Sequence, residues 1–193
     1  MTEDFRDADL SNQKWEGRHF DHADFTEADL RGLVTKGCTF DHCDFTRADL
    51  GESKHTASAF RSCTFERTNL MHSTFGGCTF LGASFHECRF RPWQLTDTDL
   101  TLASLAGANL RATTLADLRL REANLTGADL RDCDLTGTDL RGARLLEAKL
   151  AGADLRGAQL DANGLRQASL EGARVDIDMA IAFAAAHGLQ VGD

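Results

Sequence analysis

One large apolar residue recurs at every fifth position of this chain without a slip of phase. From Phe5 to Val175 a step of five visits 35 positions, and 31 of them hold Leu or Phe; the exceptions are Trp15, Thr35, His55 and Val175. Two places before each, 28 of the 35 residues are Ala, Cys, Ser or Thr. Neither the 3.6-residue helical period nor the strand period of 2 fits this pattern. A five-residue unit with one large and one small apolar side chain must turn a corner once per unit, so that both point inward and the other three face water. One unit buries too little apolar surface to fold alone, so units must stack. FDHADFTEADL (20–30) returns as FDHCDFTRADL (40–50), four units later. The pattern therefore predicts a solenoid of stacked units with four sides per turn.

The phase assigns structural duties to residues that would otherwise suggest chemistry. All six cysteines, Cys38, Cys43, Cys63, Cys78, Cys88 and Cys133, fall on the small inward position, where a thiol is a small hydrophobe. His22 and His42 should point outward and stack, so they do not join Cys38 and Cys43 around a metal ion. Eleven Asp and three Asn stand immediately before the large apolar residue, and Glu never does. A place that takes Asp or Asn but not Glu selects reach rather than charge, as expected for a side chain that bonds the local backbone at a turn. Twelve of the 17 Gly lie two residues after the large position, at a predicted corner. No glycine sits in a phosphate-binding motif and no Ser-His-Asp or Cys-His pairing stands out. No catalytic residue, metal or cofactor is assigned, and the chain is not expected to be an enzyme.

Three departures mark irregular places. The large inward residue is Phe eleven times between 5 and 90 and Leu at all sixteen positions from 95 to 170. The change falls at Arg91-Pro92-Trp93, where proline removes a backbone donor and Trp fills a small slot, so a kink or bulge is expected. Thr35 and His55 predict another local bulge. The last twenty residues leave the repeat and read as a short α-helix, with Asp176 or Asp178 as cap, His187 in the last turn and Gly188 as stop. The expected organisation is a solenoid over 1–175 and a helix with its tail over 176–193.

Segments such as ANLTGADLRDCDLTGTDLRGA (123–143) match the A(D/N)LXX consensus, and over 3–175 the chain resembles the pentapeptide repeat proteins. That resemblance implies a right-handed quadrilateral β-helix with four pentapeptides per coil, about 40 Å long at a rise of ~4.8 Å per coil. The irregular stretches SAFRSCTFERTNLMHSTF (58–75), CRFRPWQL (88–95) and GARVDIDMAIAFAAAHGL (172–189) resemble the fluoroquinolone-resistance members of the family, the Qnr group more distantly. The resemblance to those members implies a dimer that mimics duplex DNA, binds DNA gyrase, and inhibits it or protects it from quinolones.

Charge then bears on that implication. Thirty acidic against 21 basic side chains give a formal charge of −9, which argues against direct contact with nucleic acid or an anionic membrane. No apolar stretch reaches the ~18–20 residues of a membrane span. MTEDFRDADL lacks the layout of a signal peptide, so a cytoplasmic location is expected. A DNA mimic needs regularly spaced acids, since the duplex carries one negative charge per ~1.7 Å. Stacked coils supply this at a spacing of 20 residues: Asp24 over Asp44, Asp29 over Asp49, Asp97 over Asp117, Asp134 over Asp154. Arg91, Arg111 and Arg131 should form a basic ladder beside them.

Residues 96–193 carry −5 and would meet at the centre of a dimer joined tail to tail. Asp97, Asp99, Asp117, Glu122, Asp129, Asp132, Asp134 and Asp139 are therefore the expected gyrase-facing surface. Asp97, Asp117, Glu122 and Asp132 are the more informative, because they lie outside the structural Asp position. Ile177, Met179, Ile181 and Phe183, too many for one stripe, are the expected homodimer interface as well as a cap on the last coil. The alternative is an adaptor rod that binds another protein partner without mimicking DNA.

Overall fold

A computed structural model describes residues 3–192 and shows a four-sided β-solenoid closed by a short C-terminal helix. Backbone bridges between successive coils are parallel and join residues 20 apart, as in Asp4–Asp24 and Asp134–Asp154. One side is a five-stranded sheet of β1 (Lys14–Glu16), β3 (Val34–Lys36), β5 (Lys54–Thr56), β8 (Ser73–Gly76) and β10 (Trp93–Thr96). The next carries β2 (His19–Asp21), β4 (Thr39–Asp41) and β6 (Ala59–Arg61), and a third carries β7 (Thr64–Glu66) and β9 (Ser84–His86). Beyond Thr96 the sides narrow to single bridges such as Ser104–Asn124.

The corner has a definite conformation. The residue two after the large apolar one takes the left-handed region in nearly every repeat, from Asp7 at φ 55° to Gly172 at φ 69°. Gly enters that region freely, whereas other residues cost about 1–2 kcal/mol. Pro92 cannot enter it, because its ring fixes φ near −65°. The coil is irregular there, with a cis Arg91–Pro92 bond, as the sequence leads one to expect.

Inside, large residues of successive coils stack. Phe5, Phe25, Phe45, Phe65 and Phe85 form one column with neighbouring centroids 4.8–4.9 Å apart. Phe20, Phe40, Phe60 and Phe80 form another at 4.7–5.1 Å. Trp93 ends the aromatic half, 4.9 Å from Phe90 and 5.7 Å from Phe85, and leucines fill the interior beyond it. The first coil puts polar residues in its small slots: Gln13 Oε1 accepts from Trp15 Nε1 at 2.8 Å, and the Arg18 guanidinium covers the Phe20 ring at 4.5 Å.

Thr35 and His55 make no bulge, which corrects the sequence expectation. Both are buried in regular strands, β3 and β5, because one hydrogen-bonded chain satisfies them. Ser53 Oγ donates to the Leu50 carbonyl at 2.7 Å, so it accepts from His55 Nε2–H at 2.9 Å. Nδ1 is then the bare nitrogen and accepts from Thr35 Oγ1 at 2.8 Å, while Ser58 Oγ lies 2.9 Å from the Thr35 hydroxyl. Burial pushes the His55 pKa down to about 3, keeping the ring neutral.

The cysteines are free, and all but the half-buried Cys88 are fully buried; burial raises the thiols of Cys78, Cys88 and Cys133 to about 11. His22 and His42 stack outside at 4.9 Å, apart from the buried thiols, with Asp21 beside them.

At the C-terminal end a turn of helix, α1 (Ala162–Leu165), replaces one corner. It is followed by α2 (Ile177–Ala186), capped by Asp176 and stopped by Gly188 at φ 81°. The Asp176 carboxylate is turned away from its own helix and accepts from Gly157 N, tying α2 to the solenoid. Neither helix is long and apolar enough to cross a membrane.

Candidate acidic interaction surface

The Asp positions before the large residue are bound up in the fold. Every one of the eleven accepts from the backbone N–H two residues on, for example Asp44 from Thr46 at 2.8 Å and Asp49 from Gly51 at 2.8 Å. Asn69, Asn109 and Asn124 do the same. Glu would place its oxygens one bond too far for this contact, which explains its exclusion.

Where Arg follows two residues later, a bidentate pair is added. Arg131 grips Asp129 through Nε at 2.8 Å and Nη2 at 2.6 Å; Arg6, Arg31, Arg141 and Arg156 hold Asp4, Asp29, Asp139 and Asp154 in the same way. Hydrogen bonds from Arg131 and Arg156 hold the Asp129 and Asp154 carboxyls at about 2. Their folded pKa lies below the ordinary carboxylate value, so the stability they contribute is complete above about pH 4 and fades as pH falls towards 2. Thermal melting across that window is expected to show this loss, and Arg131→Gln with Arg156→Gln should make it shallower.

These pairings divide the eight candidate acids. Asp99 is half-buried; burial raises its carboxyl, but hydrogen bonds from Thr101 and Arg119 outweigh this and leave it lowered. Asp129 and Asp139 are half-buried and Arg-paired, and Asp134 is half-buried and bonded to Thr136. Asp132 is exposed but meets Arg111 at 2.9 Å. Asp97, Asp117 and Glu122 remain exposed, and among the described residues none has a cation within 4 Å. Pairing also breaks up the expected basic ladder, since Arg111 and Arg131 face Asp132 and Asp129. The D-x-R spacing was the sequence signal for the Asp129–Arg131 and Asp139–Arg141 pairs.

Asp97, Asp117, Glu122 and Asp132 all occupy left-handed corners, at φ 49–59°. Each therefore stands where Gly would be easier. One coil on from Asp117, Glu122 and Asp132 the corner is Gly137, Gly142 and Gly152, and the acid side chains lie over these glycines. A Cβ at Gly137 would collide with Asp117 Oδ1, and one at Gly152 would lie 2.6 Å from Asp132 Oδ1. Gly152→Ala is expected to cost about 1–2 kcal/mol from its φ of 72°, because the Asp132 carboxylate it would meet ends a flexible side chain and can turn aside. Chemical denaturation should show that cost largely unchanged in an Asp132→Gly background, because the left-handed φ remains.

The four residues expected at a dimer interface separate into two groups. Met179 and Phe183 pack partly against the end of the solenoid core, whereas Ile177 is 79% and Ile181 44% exposed. Leu189 and Val191 are exposed beyond the helix and had no place in the sequence reading.

A stack of parallel coils built from five-residue units with left-handed corners defines a pentapeptide-repeat protein. The chain belongs to that family: a model of the pentapeptide repeat region matches residues 68–145, and one of pentapeptide repeats (8 copies) matches 4–34 and 128–172. It is 68% identical over 138 residues to the pentapeptide repeat protein MfpA of Mycobacterium tuberculosis, covering 72% of this chain and 75% of that one. Its fold matches full-length QnrB1, a plasmid-mediated fluoroquinolone resistance protein, with TM-score 0.82 and 23% identity over 97% of this chain and 98% of that one. HetL, a pentapeptide repeat protein of heterocyst differentiation regulation from the cyanobacterium Nostoc, matches with TM-score 0.57 and 30% identity, covering 89% and 80%.

Proposed function

We propose that this protein is a fluoroquinolone-resistance factor that binds DNA gyrase in place of duplex DNA and does so as a homodimer. The single observation that carries the proposal is the corner column of Asp97 and Asp117, flanked by Glu122: exposed acids, unpaired with any cation among the described residues, at positions where the backbone favours glycine. A fold-serving Asp has its charge taken up by a backbone amide and often by Arg, whereas these have theirs facing outward. The likeness to MfpA and the fold shared with QnrB1 support the same reading. Ile177 and Ile181, with Leu189 and Val191, supply the apolar face that a second copy would cover.

The test is a supercoiling and cleavage assay with purified gyrase, with and without a fluoroquinolone and ATP. The intact protein should change supercoiling or reduce drug-stabilised cleavage, and its affinity should fall as salt rises. Asp97→Asn with Asp117→Asn and Glu122→Gln should weaken the gyrase interaction about tenfold, equivalent to 1.4 kcal/mol, with melting unchanged. No effect of the intact protein on either assay would overturn the proposal. Gyrase binding that survives neutralisation would favour an adaptor rod. Ile181→Asp should yield a monomer on sizing if α2 joins the dimer.

A further inference from the structure

We propose that a split between two coils at Pro92 and Trp93 is a docking groove for an extended acidic peptide, which enters as an added strand. Two sides of the solenoid keep their ladders at this level, through Ser84–Ser104 and Thr79–Asp99–Arg119. The other two do not. On one, Asn69 bridges Arg89 and the next bridge is Asn109–Asp129; on the other, β10 pairs with β8 and the next bridge is Thr114–Asp134. Among the described residues, no bridge joins Arg89 to Asn109 or Gln94 to Thr114.

Among the described residues, the backbone amides of Phe90, Asn109 and Thr114 accordingly have no backbone acceptor, and the carbonyls of Trp93 and Asn109 receive no backbone donor. Two facing edges with unused donors and acceptors form a template for one more strand. The cause is local. Pro92 cannot make the left-handed corner, and Trp93 overfills a slot made for a small residue, so the coil is held off its neighbour.

The opening is a groove of ≈ 1020 Å³ lined on one side by Arg89, Arg91 and Gln94 and on the other by Asn109 and Thr114. That is the upper end of the ~300–1,000 Å³ of ligand pockets, larger than one small ion needs. Its lining contains no acidic residue, although the whole chain carries −9. Arg89 and Arg91 are exposed and, among the described residues, lie in no ion pair. The buried Nε1–H of Trp93, a groove-lining residue 4% exposed, also has no partner among the described residues. Free guanidinium groups, backbone edges and an absence of carboxylates favour an extended segment bearing Glu or Asp.

The probe is an acetylated, amidated hexapeptide of alternating Val and Glu, with its Val–Lys counterpart as control. Binding is followed by amide NMR and hydrogen exchange on the intact protein. The Glu peptide should shift and protect the amides of Phe90, Asn109 and Thr114. Arg89→Gln with Arg91→Gln should weaken it about tenfold while the melting temperature is kept. The proposal is overturned by no binding of the Glu peptide, by protection confined to another side of the rod, by equal binding of the Lys peptide, or by free glutamate competing at equal concentration. Asp97 follows the lining residue Thr96, so the groove ends beside the exposed acid column; the gyrase assay varies Asp97, Asp117 and Glu122 whereas this one varies Arg89 and Arg91, so the two fail independently.

Discussion

Phe60→Ala is expected to destabilise the protein by about 3–5 kcal/mol, the range for removing a buried aromatic ring. Phe60 is fully buried between Phe40 at 4.7 Å and Phe80 at 5.1 Å, and also meets Phe45, Phe65 and Phe75. The cavity cannot close readily, because backbone ladders fix the coils above and below at the strand spacing. In a solenoid each coil is held chiefly by its neighbours, so a weak coil in the middle uncouples the two ends. Denaturant unfolding should show a midpoint shifted by that amount, with a broadened or two-step transition. A shift under about 1 kcal/mol would mean that the aromatic columns contribute far less than their contacts imply.

The second large effect concerns the polar chain through Thr35 and His55. His55→Phe alone leaves the Thr35 hydroxyl without its acceptor, and Thr35→Val alone leaves His55 Nδ1 without its donor. Each is expected to cost about 1–3 kcal/mol. The double variant should cost much less than the sum, because Ser53 still donates to the Leu50 carbonyl and Ser58 Oγ still reaches the Thr56 carbonyl at 3.2 Å. A Phe at 55 would also continue the ring stack on Phe75, now 4.5 Å from the imidazole. The pH dependence separates the roles further. His55 has a folded pKa of about 3, below the ~6.5 of an unfolded chain, so the unfolded state binds the extra proton between those values. Stability must therefore fall as pH drops below about 6.5, before the Arg-paired aspartates begin to titrate near 4. Melting curves of the His55→Phe variant should lack this first decline. A wild-type curve flat from pH 7 to 5 would contradict the neutral, buried imidazole.

The five-residue phase and the 20-residue recurrence carried the coil, its four sides and the inward cysteines, because an inward slot repeated every five residues constrains composition more tightly than any propensity. The Asp/Asn position without Glu was likewise legible, since side-chain reach is a property of residue type. Thr35 and His55 were misread because polar residues in an apolar slot look like an interruption until their partners are known. Ser53 stands two residues from His55, but Thr35 meets His55 and Ser58, 20 and 23 residues away, only after folding. The candidate acids were chosen by charge and position alone. Arg contacts distinguish Asp129, Asp132 and Asp139 from Asp97, Asp117 and Glu122, and the Arg111–Asp132 contact crosses 21 residues of chain.

The sequence by itself thus determined the architecture, for the repeat encodes the same local corner again and again and each coil templates the next. It also marked Pro92 and Trp93 as the break, since one cannot adopt the corner and the other cannot fit the slot. Only the tertiary structure decided what the break does. Two of the four ladders stay closed while the other two part, which depends on how neighbouring coils share hydrogen bonds across 20 residues. It alone also decided which acids are free, because a carboxylate's availability depends on the guanidinium or amide that packing brings beside it.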